Sequence, residues 1–271
     1  MPPAAPRLRQ GGLLWWYAAL GGARLALRQL IRSPGQLLTL VTSPLFALMF
    51  LSIAVRSGDR DLIVSAVFAP ALISLWLLAV GLCGGLISGD RWTGTLELAL
   101  VAPAPLLLSV IGRICATFVL AALSMVESAL VARIGFGVRL TLHHPVLLAL
   151  TVAATLMAMV GTASLFSAAF VLSRVALLFQ NAMTYPFYIL GGILVPVGLL
   201  PQWLRPLSDL VFLSWSGDLL RDCFGDPGHI NHWPLRLAAI TALALAALAA
   251  GAVLMARISG RVARTGSATL A

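Results

Sequence analysis

One acidic side chain stands alone within the long apolar stretches of this chain. Glu127 is the only acid in a segment that is long and apolar enough to cross a membrane. A charged carboxylate in hydrocarbon is costly, so we expect Glu127 to meet a partner, a cavity or the protein interior, or to be protonated. Its chemistry leaves two roles open, a structural hydrogen bond and a place in a substrate path or gate.

The histidines and the missing motifs exclude several catalytic classes. His143-His144 and His229-x-x-His232 lack a cysteine or carboxylate set that would complete a metal site, so we interpret them as interface histidines. Neither G-x-S-x-G nor H-E-x-x-H occurs, and no aspartate falls inside a predicted span. The signatures of serine hydrolases, zincins and intramembrane aspartyl proteases are therefore absent.

The absence of lysine removes a further class. All 18 basic residues are arginines. A P-loop needs the lysine of G-x-x-x-x-G-K-[ST] to contact the phosphates of a nucleotide. The chain therefore contains no P-loop and cannot be the ATPase of a P-loop machine.

The composition is that of an all-α integral membrane protein. Hydrophobic residues make up 60% of the 271 residues and charged residues only 10%, whereas a soluble domain carries about 25% charged residues. Six stretches are long enough to cross about 30 Å of hydrocarbon. These predicted transmembrane helices are 36–55, 62–88, 114–135, 145–172, 175–197 and 234–256.

The arginine distribution predicts the orientation. A cytoplasmic N-terminus places 11 of the 18 arginines on the cytoplasmic side and six of the nine acids outside. Basic residues favour the cytoplasmic side, so we predict a multi-pass protein of the cytoplasmic (inner) membrane with both termini in the cytoplasm. The net charge of +9 then reflects topology, and no nucleic-acid partner is expected.

Three amphipathic segments lie outside the six spans. Residues 13–32 carry arginines at 24, 28 and 32 on one stripe, which is typical of a helix lying in the membrane interface. Residues 94–102 are predicted to form a short capped helix on the cytosolic side, with Glu97 in its first turn. Residues 198–233, here called the outer hairpin, are expected to form two short re-entrant helices separated near residues 214–216.

Glycine spacing and polar side chains mark two of the spans. Gly81, Gly85 and Gly89 recur every four residues on the second span, which permits close helix packing within or between subunits. The fifth span is unusually polar at Asn181 and at its tyrosines.

Two sequence segments resemble the ABC-2-type transporter permeases, the transmembrane subunits of ABC exporters. The stretch RWTGTLELALVAP resembles the family's E-R-E-x-G-T-L-E-x-L-L-x-x-P segment, and ILGGILVPVGLLPQWLRPLSDL resembles the end of its fifth span and its outer hairpin. With the interfacial helix and six spans, the resemblance covers nearly the whole chain.

The resemblance implies roles for particular residues. The segment 94–102 would be the coupling helix seated on an ATPase, through Arg91, Gly94, Thr95, Leu96, Glu97 and Leu100. The substrate path or gate would involve Glu127, Asn181, Tyr185 and Tyr188. The outer hairpin would carry Pro196, Pro201, Trp203 and Arg221.

The resemblance also implies partners and a domain plan. The partners are a separate ABC nucleotide-binding ATPase, which holds ATP and magnesium, a second copy or a homologous permease, and membrane lipid. The chain itself would bind no cofactor and hydrolyse nothing. We divide it into an N-terminal tail with interfacial helix (1–35), a six-span transmembrane domain (36–256) and a cytoplasmic tail (257–271).

Two other functions fit the sequence less well than an ATP-driven exporter does. A membrane-embedded enzyme acting on lipid or prenyl substrates would need acids or histidines clustered at the membrane face, and the sequence has none. A proton-coupled carrier built around Glu127 would be favoured by an inverted repeat, and none is visible.

Overall fold

Helices account for every regular element in the part of the chain that the structure describes. The structure is a computed structural model that describes residues 34–58, 60–92, 123–138, 141–172, 176–193, 197–225, 228 and 230–265. In chain order the helices are α1 (Pro34–Ser57), α2 (Arg60–Trp92), α3 (Leu123–Gly135), α4 (Pro145–Leu172), α5 (Ala176–Leu190), α6 (Arg205–Asp209), α7 (Phe212–Asp222) and α8 (Trp233–Thr265). A 3-10 turn, Val197–Leu199, precedes α6. The interfacial helix expected at 13–32 lies outside the described residues.

Among the described residues, two helices are both long and apolar enough to cross a membrane. These segments are Pro145–Ala169 in α4 and Trp233–Arg257 in α8, while Thr42–Ser57 and Leu62–Leu77 are shorter apolar stretches of α1 and α2. Helix α4 begins and ends at the residues that the sequence predicted. Proline is well placed at its start, because the first helical residues have no intrahelical partner for an N–H group. Helix α8 continues to Thr265, past the predicted end of the sixth span.

Helices α4 and α8 pack closely along their length. Gly161 lies against the α8 backbone, where an added Cβ would come within 2.4 Å of the carbonyl oxygen of Ala244. At Gly251 an added Cβ would come within 2.9 Å of the backbone nitrogen of Leu165. Small residues at such contacts let two helix backbones approach, which is how helices associate where no water is present to drive them together. The structure does not describe the surroundings of Gly81, Gly85 and Gly89, so their close packing stays a prediction.

Three hydroxyl groups of α4 are satisfied inside the helix itself, whereas the buried hydroxyl of Ser167 makes no hydrogen bond in the described structure. Thr155 donates to the carbonyl of Thr151 at 2.7 Å, and Ser164 donates to that of Val160 at 2.7 Å. Thr151 makes the same bond one turn earlier, to Leu147. Because each of these three hydroxyls bonds to a backbone oxygen four residues back, α4 buries these side chains without leaving their donors unpaired.

An aromatic cluster joins four helices in the core. Trp76 of α2 is fully buried and stacks on Phe187 of α5, with ring centroids 4.3 Å apart. Phe166 of α4 meets both rings edge-on, at 6.1 Å from Trp76 and 5.8 Å from Phe187. Phe212 of α7 completes the cluster, 6.4 Å from Trp76. Edge-to-face and offset contacts at these distances stabilise beyond the area buried, so the cluster fixes how α5 is rotated about its axis.

The fifth helix ends earlier than the sequence predicted. The prediction carried this span to residue 197, but α5 ends at Leu190. Gly192 has a φ of 66°, and the Ile193 N–H donates to the carbonyl of Tyr188. A glycine in this left-handed conformation is a common helix terminator, because it lacks the Cβ that disfavours positive φ. The hydroxyl of Ser208 donates to the carbonyl of Leu190 and satisfies one of the free oxygens of the helix end.

The break within the outer hairpin lies earlier than expected. The sequence placed it near residues 214–216, whereas the helix is interrupted at Leu210–Val211 and residues 214–216 lie inside α7. Val211 has an extended backbone, with ψ at 113°. Ser214 donates to the carbonyls of Ser208 and Val211, and Ser216 donates to that of Phe212. Bonded in this way to the preceding backbone, the serines are compatible with a helix rather than breaking one.

Candidate functional site

The carboxylate of Glu127 has no hydrogen-bonding partner for one of its oxygens in the described structure. Glu127 lies on α3, which packs against α1 and α2, and its side chain is half-buried. Its Oε2 atom is buried and unbonded, as is the hydroxyl of the adjacent Ser128. Buried polar atoms are nearly always paired, so Glu127 is a site where a further group, a proton or a ligand would be stabilising. This environment is compatible with a structural hydrogen bond and with a place in a substrate path or gate.

The exposed face of α5 brings together two of the predicted path residues. Asn181 and Tyr185 are four residues apart, so their side chains lie on one side of the helix, and both are exposed. Tyr185 is 69% exposed. Phe187, two residues on, faces the aromatic cluster on the opposite side. The packing of Phe187 therefore turns the polar face of α5 away from the core.

Tyr188 is separated from the other two path residues. Its side chain is buried in the core, and its hydroxyl donates to the carbonyl of Ile73 on α2 at 3.4 Å. This contact supports a packing role for Tyr188 between α5 and α2. The sequence grouped Tyr188 with Tyr185 because both are polar, but a spacing of three residues and the rotation of α5 place them in different surroundings.

The first part of the outer hairpin is held by an arginine that the sequence did not single out. Arg205 donates from Nη2 to the carbonyl of Gly198 at 2.8 Å and from Nε to that of Leu200 at 3.2 Å. It thereby closes the loop that carries Pro201 and Trp203, both of which are exposed. Trp203 is 72% exposed. Pro196 lies outside the described residues.

The second part of the outer hairpin carries two ion pairs. Arg221 pairs with Asp218 one turn earlier on α7, and its Nε atom donates to the carbonyl of Gly217. Asp222 pairs with Arg236 of α8 at 2.5 Å. Partial burial raises the pKa of the Asp218 carboxyl, and the guanidinium groups of Arg221 and Arg236 act against that rise. The pairs join α7 to the start of α8, and the Asp–x–x–Arg spacing was the only signal of them in the sequence.

Helix α7 is inserted among longer helices. It contacts α2, α4 and α8. Leu213, Leu219 and Leu220 on its inner face are fully buried. Its outer face carries the ion-paired side chains of Asp218 and Asp222. The helix is thus a short amphipathic element that packs between the longer helices at one end of the bundle.

The histidines border a cavity at the same end of the bundle. His143 and His144 line a cavity of about 330 Å³ together with Ile230 and Trp233. The Nε2 atom of His143 lies 3.1 Å from the hydroxyl of Thr141. The described residues contain no group of three side chains suited to hold a metal ion.

The predicted ATPase-coupling residues fall at the edge of the described structure. Arg91 lies in the last turn of α2, which ends at Trp92. Gly94, Thr95, Leu96, Glu97 and Leu100 lie outside the described residues.

Comparison with known proteins confirms the family resemblance. The family model described as ABC-2 type transporter matches residues 23–224, which is more than half of the chain. The matched region is a membrane permease domain, and no ATPase domain is found. No curated protein and no solved structure matches the chain.

Proposed function

Because the chain belongs to the ABC-2 type transporter family, we propose that it is the permease subunit of an ATP-driven exporter. The family membership itself makes it a multi-pass helical membrane protein that associates with an ABC ATPase subunit. The proposal adds the direction: substrate moves outward across the cytoplasmic membrane while the ATPase binds ATP and magnesium. The carrying observation is the family match over 23–224, which includes the GTLELALVAP segment.

We assign six spans to the chain, with both termini in the cytoplasm. The two spanning-length helices α4 and α8, the apolar stretches of α1 and α2, and the predicted third and fifth spans support this count. The orientation follows from the arginine excess on the proposed cytoplasmic side. The interfacial helix would be 13–32, within an N-terminal segment 1–35, and the transmembrane domain would be 36–256 with a cytoplasmic tail at 257–271. The second permease of the unit is a copy of this chain or a homologue.

Cysteine labelling tests the orientation. In a cysteine-free background, a single cysteine at position 97 is expected to react with a membrane-impermeant maleimide only after permeabilisation. A single cysteine at position 202, beside the exposed Trp203, is expected to react in intact cells. The reverse pattern would overturn the orientation and the cytosolic placement of the coupling helix.

The docking surface for the ATPase is the segment 94–102. Its apolar Leu96 and Leu100 would be buried against the ATPase, and Glu97 would meet a hydrogen-bond donor there or the N-terminus of its own helix. Arg91, in the last turn of α2, would connect this docking segment to the second span. Closure of two ATPases on ATP would then move the second span directly.

The substrate path lies along the exposed polar face of α5. Asn181 and Tyr185 are exposed on α5, which belongs to the proposed fifth span. Polar side chains in a span face a partner subunit or water rather than lipid. This face is therefore proposed to line the path between two permease subunits. Tyr188 is proposed to hold α5 against α2 through Ile73 and to act on the path only through that contact.

Helix α7 and the loop before it would form the outer gate. Helix α7 contacts four longer helices, α2, α4, α5 and α8, and the Asp218–Arg221 and Asp222–Arg236 ion pairs fix its outer face. Movement of α2, to which the docking segment is attached, would reach this hairpin through the contact between α2 and α7. Pro196, Pro201 and Trp203 would shape the entrance to the hairpin.

Substitution of Glu127 by glutamine tests its place in the path. Glu127→Gln keeps the shape and removes the charge, and we expect turnover to fall by about tenfold, the effect of losing one charge-assisted hydrogen bond that the carboxylate would make to a group in the path during transport. Turnover is measured as ATP hydrolysis by the complex in lipid vesicles, normalised to assembled complex. The matched control is Ser128→Ala, whose buried hydroxyl makes no hydrogen bond in the described structure and should change nothing. Loss of assembly would instead assign Glu127 a structural role, and full turnover would remove it from the gate.

Co-purification tests the function as a whole. The tagged chain, extracted from its native membrane, is expected to retain an ATPase with a P-loop in roughly equal amount, and the complex should hydrolyse ATP. A chain that is properly inserted but purifies without any such ATPase would contradict the proposal.

A further inference from the structure

A large cavity opens between α2, α3 and α4 near the end of the bundle that carries the outer hairpin. Its volume is about 580 Å³, within the range of sites that hold small molecules. Eight of the nine described residues that line it are apolar. Phe68 and Phe224 form one wall, with their rings 5.0 Å apart, and Met125, Ala129 and Val152 lie among the others. The cavity is suited to hydrocarbon rather than to a soluble polar molecule.

The ninth lining residue is the single charged one, Arg133. It lies in the last turn of α3, and its side chain is exposed. The ion pairs among the described residues are Asp218–Arg221 and Asp222–Arg236, so neither involves Arg133. A guanidinium that has no acidic partner among the described residues, at the edge of an apolar cavity, favours a ligand with an anionic group joined to an apolar body, because a guanidinium binds phosphate through two parallel hydrogen bonds.

The mouth of the cavity adjoins an apolar surface. Val126, Leu130 and Ile134 lie four residues apart on α3 and are 53%, 50% and 80% exposed. Val126 belongs both to this stripe and to the cavity lining. A continuous exposed apolar stripe on a helix of a membrane protein faces the bilayer. A molecule dissolved in the bilayer can therefore enter the cavity laterally from the lipid.

We propose that this cavity binds an anionic phospholipid, with one acyl chain between Phe68, Val152 and Phe224 and its phosphate on Arg133. The occupant is a lipid because the lining is apolar and adjoins a lipid-facing stripe. It is an anionic one because Arg133 has no acid to neutralise it among the described residues. The bound lipid fills the space between α3 and α4 and holds the two helices together. This site goes beyond the transport function and does not depend on the identity of the substrate.

Native mass spectrometry of the full-length chain in its purified complex tests the site. The probes are phosphatidylglycerol, which is anionic, phosphatidylcholine, which is zwitterionic, and glycerol phosphate, which has no acyl chain. Arg133→Gln removes the charge, and Ala129→Phe fills the cavity while keeping Arg133. Arg56→Gln is the matched control, since Arg56 is also an exposed arginine in the last turn of a helix but does not line the cavity.

The expected results separate charge from shape. Arg133→Gln should lower retention of phosphatidylglycerol by about fivefold, the effect of one basic side chain near an anionic headgroup, and leave phosphatidylcholine nearly unchanged. Ala129→Phe should lower retention of both lipids, and Arg56→Gln should lower neither. Equal losses with Arg56→Gln and Arg133→Gln would show only general surface attraction and overturn the site. Unchanged retention with Ala129→Phe, or displacement of lipid by glycerol phosphate alone, would overturn it as well.

Discussion

Replacing Leu96 and Leu100 by alanine together is expected to reduce the ATPase retained by the chain by tenfold or more. Buried apolar anchors dominate interfaces. Burial of a leucine contributes about 1.5–3 kcal/mol, and a loss of about 1.4 kcal/mol already corresponds to a factor of ten. Even if each alanine keeps part of the contact, truncating both leucines should weaken binding by more than about 1.4 kcal/mol.

The charge on the same helix is expected to matter less. Glu97→Gln removes one exposed ionic contact, which is typically worth less than about 1 kcal/mol. The measurement for all variants is the ratio of ATPase to permease in detergent pull-downs, normalised to membrane-inserted permease. A larger loss of ATPase from the double leucine variant than from Glu97→Gln would indicate an apolar docking surface. The reverse order would indicate an electrostatic one.

A second pair of leucines, on the proposed outer side of the membrane, is the matched control for truncating two leucines at once. Leu207 and Leu210 in the outer hairpin are 49% and 72% exposed, so their double alanine variant should leave the ATPase ratio unchanged. Insertion in the membrane should also be unchanged in both double variants, since neither pair lies within a predicted span. A normal ATPase ratio in the Leu96→Ala, Leu100→Ala variant would remove this helix from the docking role.

Gly161→Ala is expected to destabilise the folded chain by about 1–3 kcal/mol, the range for overpacking a close contact. The added Cβ would lie 2.4 Å from the backbone oxygen of Ala244. Backbone cannot rotate away as a side chain can, so α4 and α8 must move apart and lose contacts along their shared face. Gly251→Ala should destabilise less, because its nearest backbone atom is 2.9 Å away. The apparent Tm in detergent and the fraction of monodisperse protein measure both effects.

Gly217 supplies a helical control for the same substitution. It lies inside α7, and the nearest atom to an added Cβ is the Arg221 guanidinium at 3.9 Å, an ordinary contact. Because alanine favours helix over glycine by up to about 1 kcal/mol, Gly217→Ala should be neutral or slightly stabilising. If Gly161→Ala and Gly217→Ala had the same Tm, the close contact between α4 and α8 would not exist in the membrane.

Much of the helical framework could be predicted because membrane spans depend on composition and length. Helix α4 begins at Pro145 and ends at Leu172 as predicted, since a long apolar run bounded by polar residues leaves one stable arrangement for its backbone. The end of α5 was misplaced. The sequence from Gly191 to Pro196 is nearly as apolar as the helix before it, and hydropathy alone does not reveal a left-handed glycine.

The amino-acid sequence alone determined the class of protein: a helical membrane permease without a P-loop, in a family that the match over 23–224 confirms. The tertiary structure decided which faces of the helices matter. It turned Tyr185 outward and Tyr188 into the core, and it brought Gly161 against the backbone of α8. The physical reason is that a membrane helix is apolar on every side, so its sequence carries little signal about which side packs. That choice depends on the shape of the neighbouring helices, here the stacking of Phe187 on Trp76 and the backbone of α8 against Gly161.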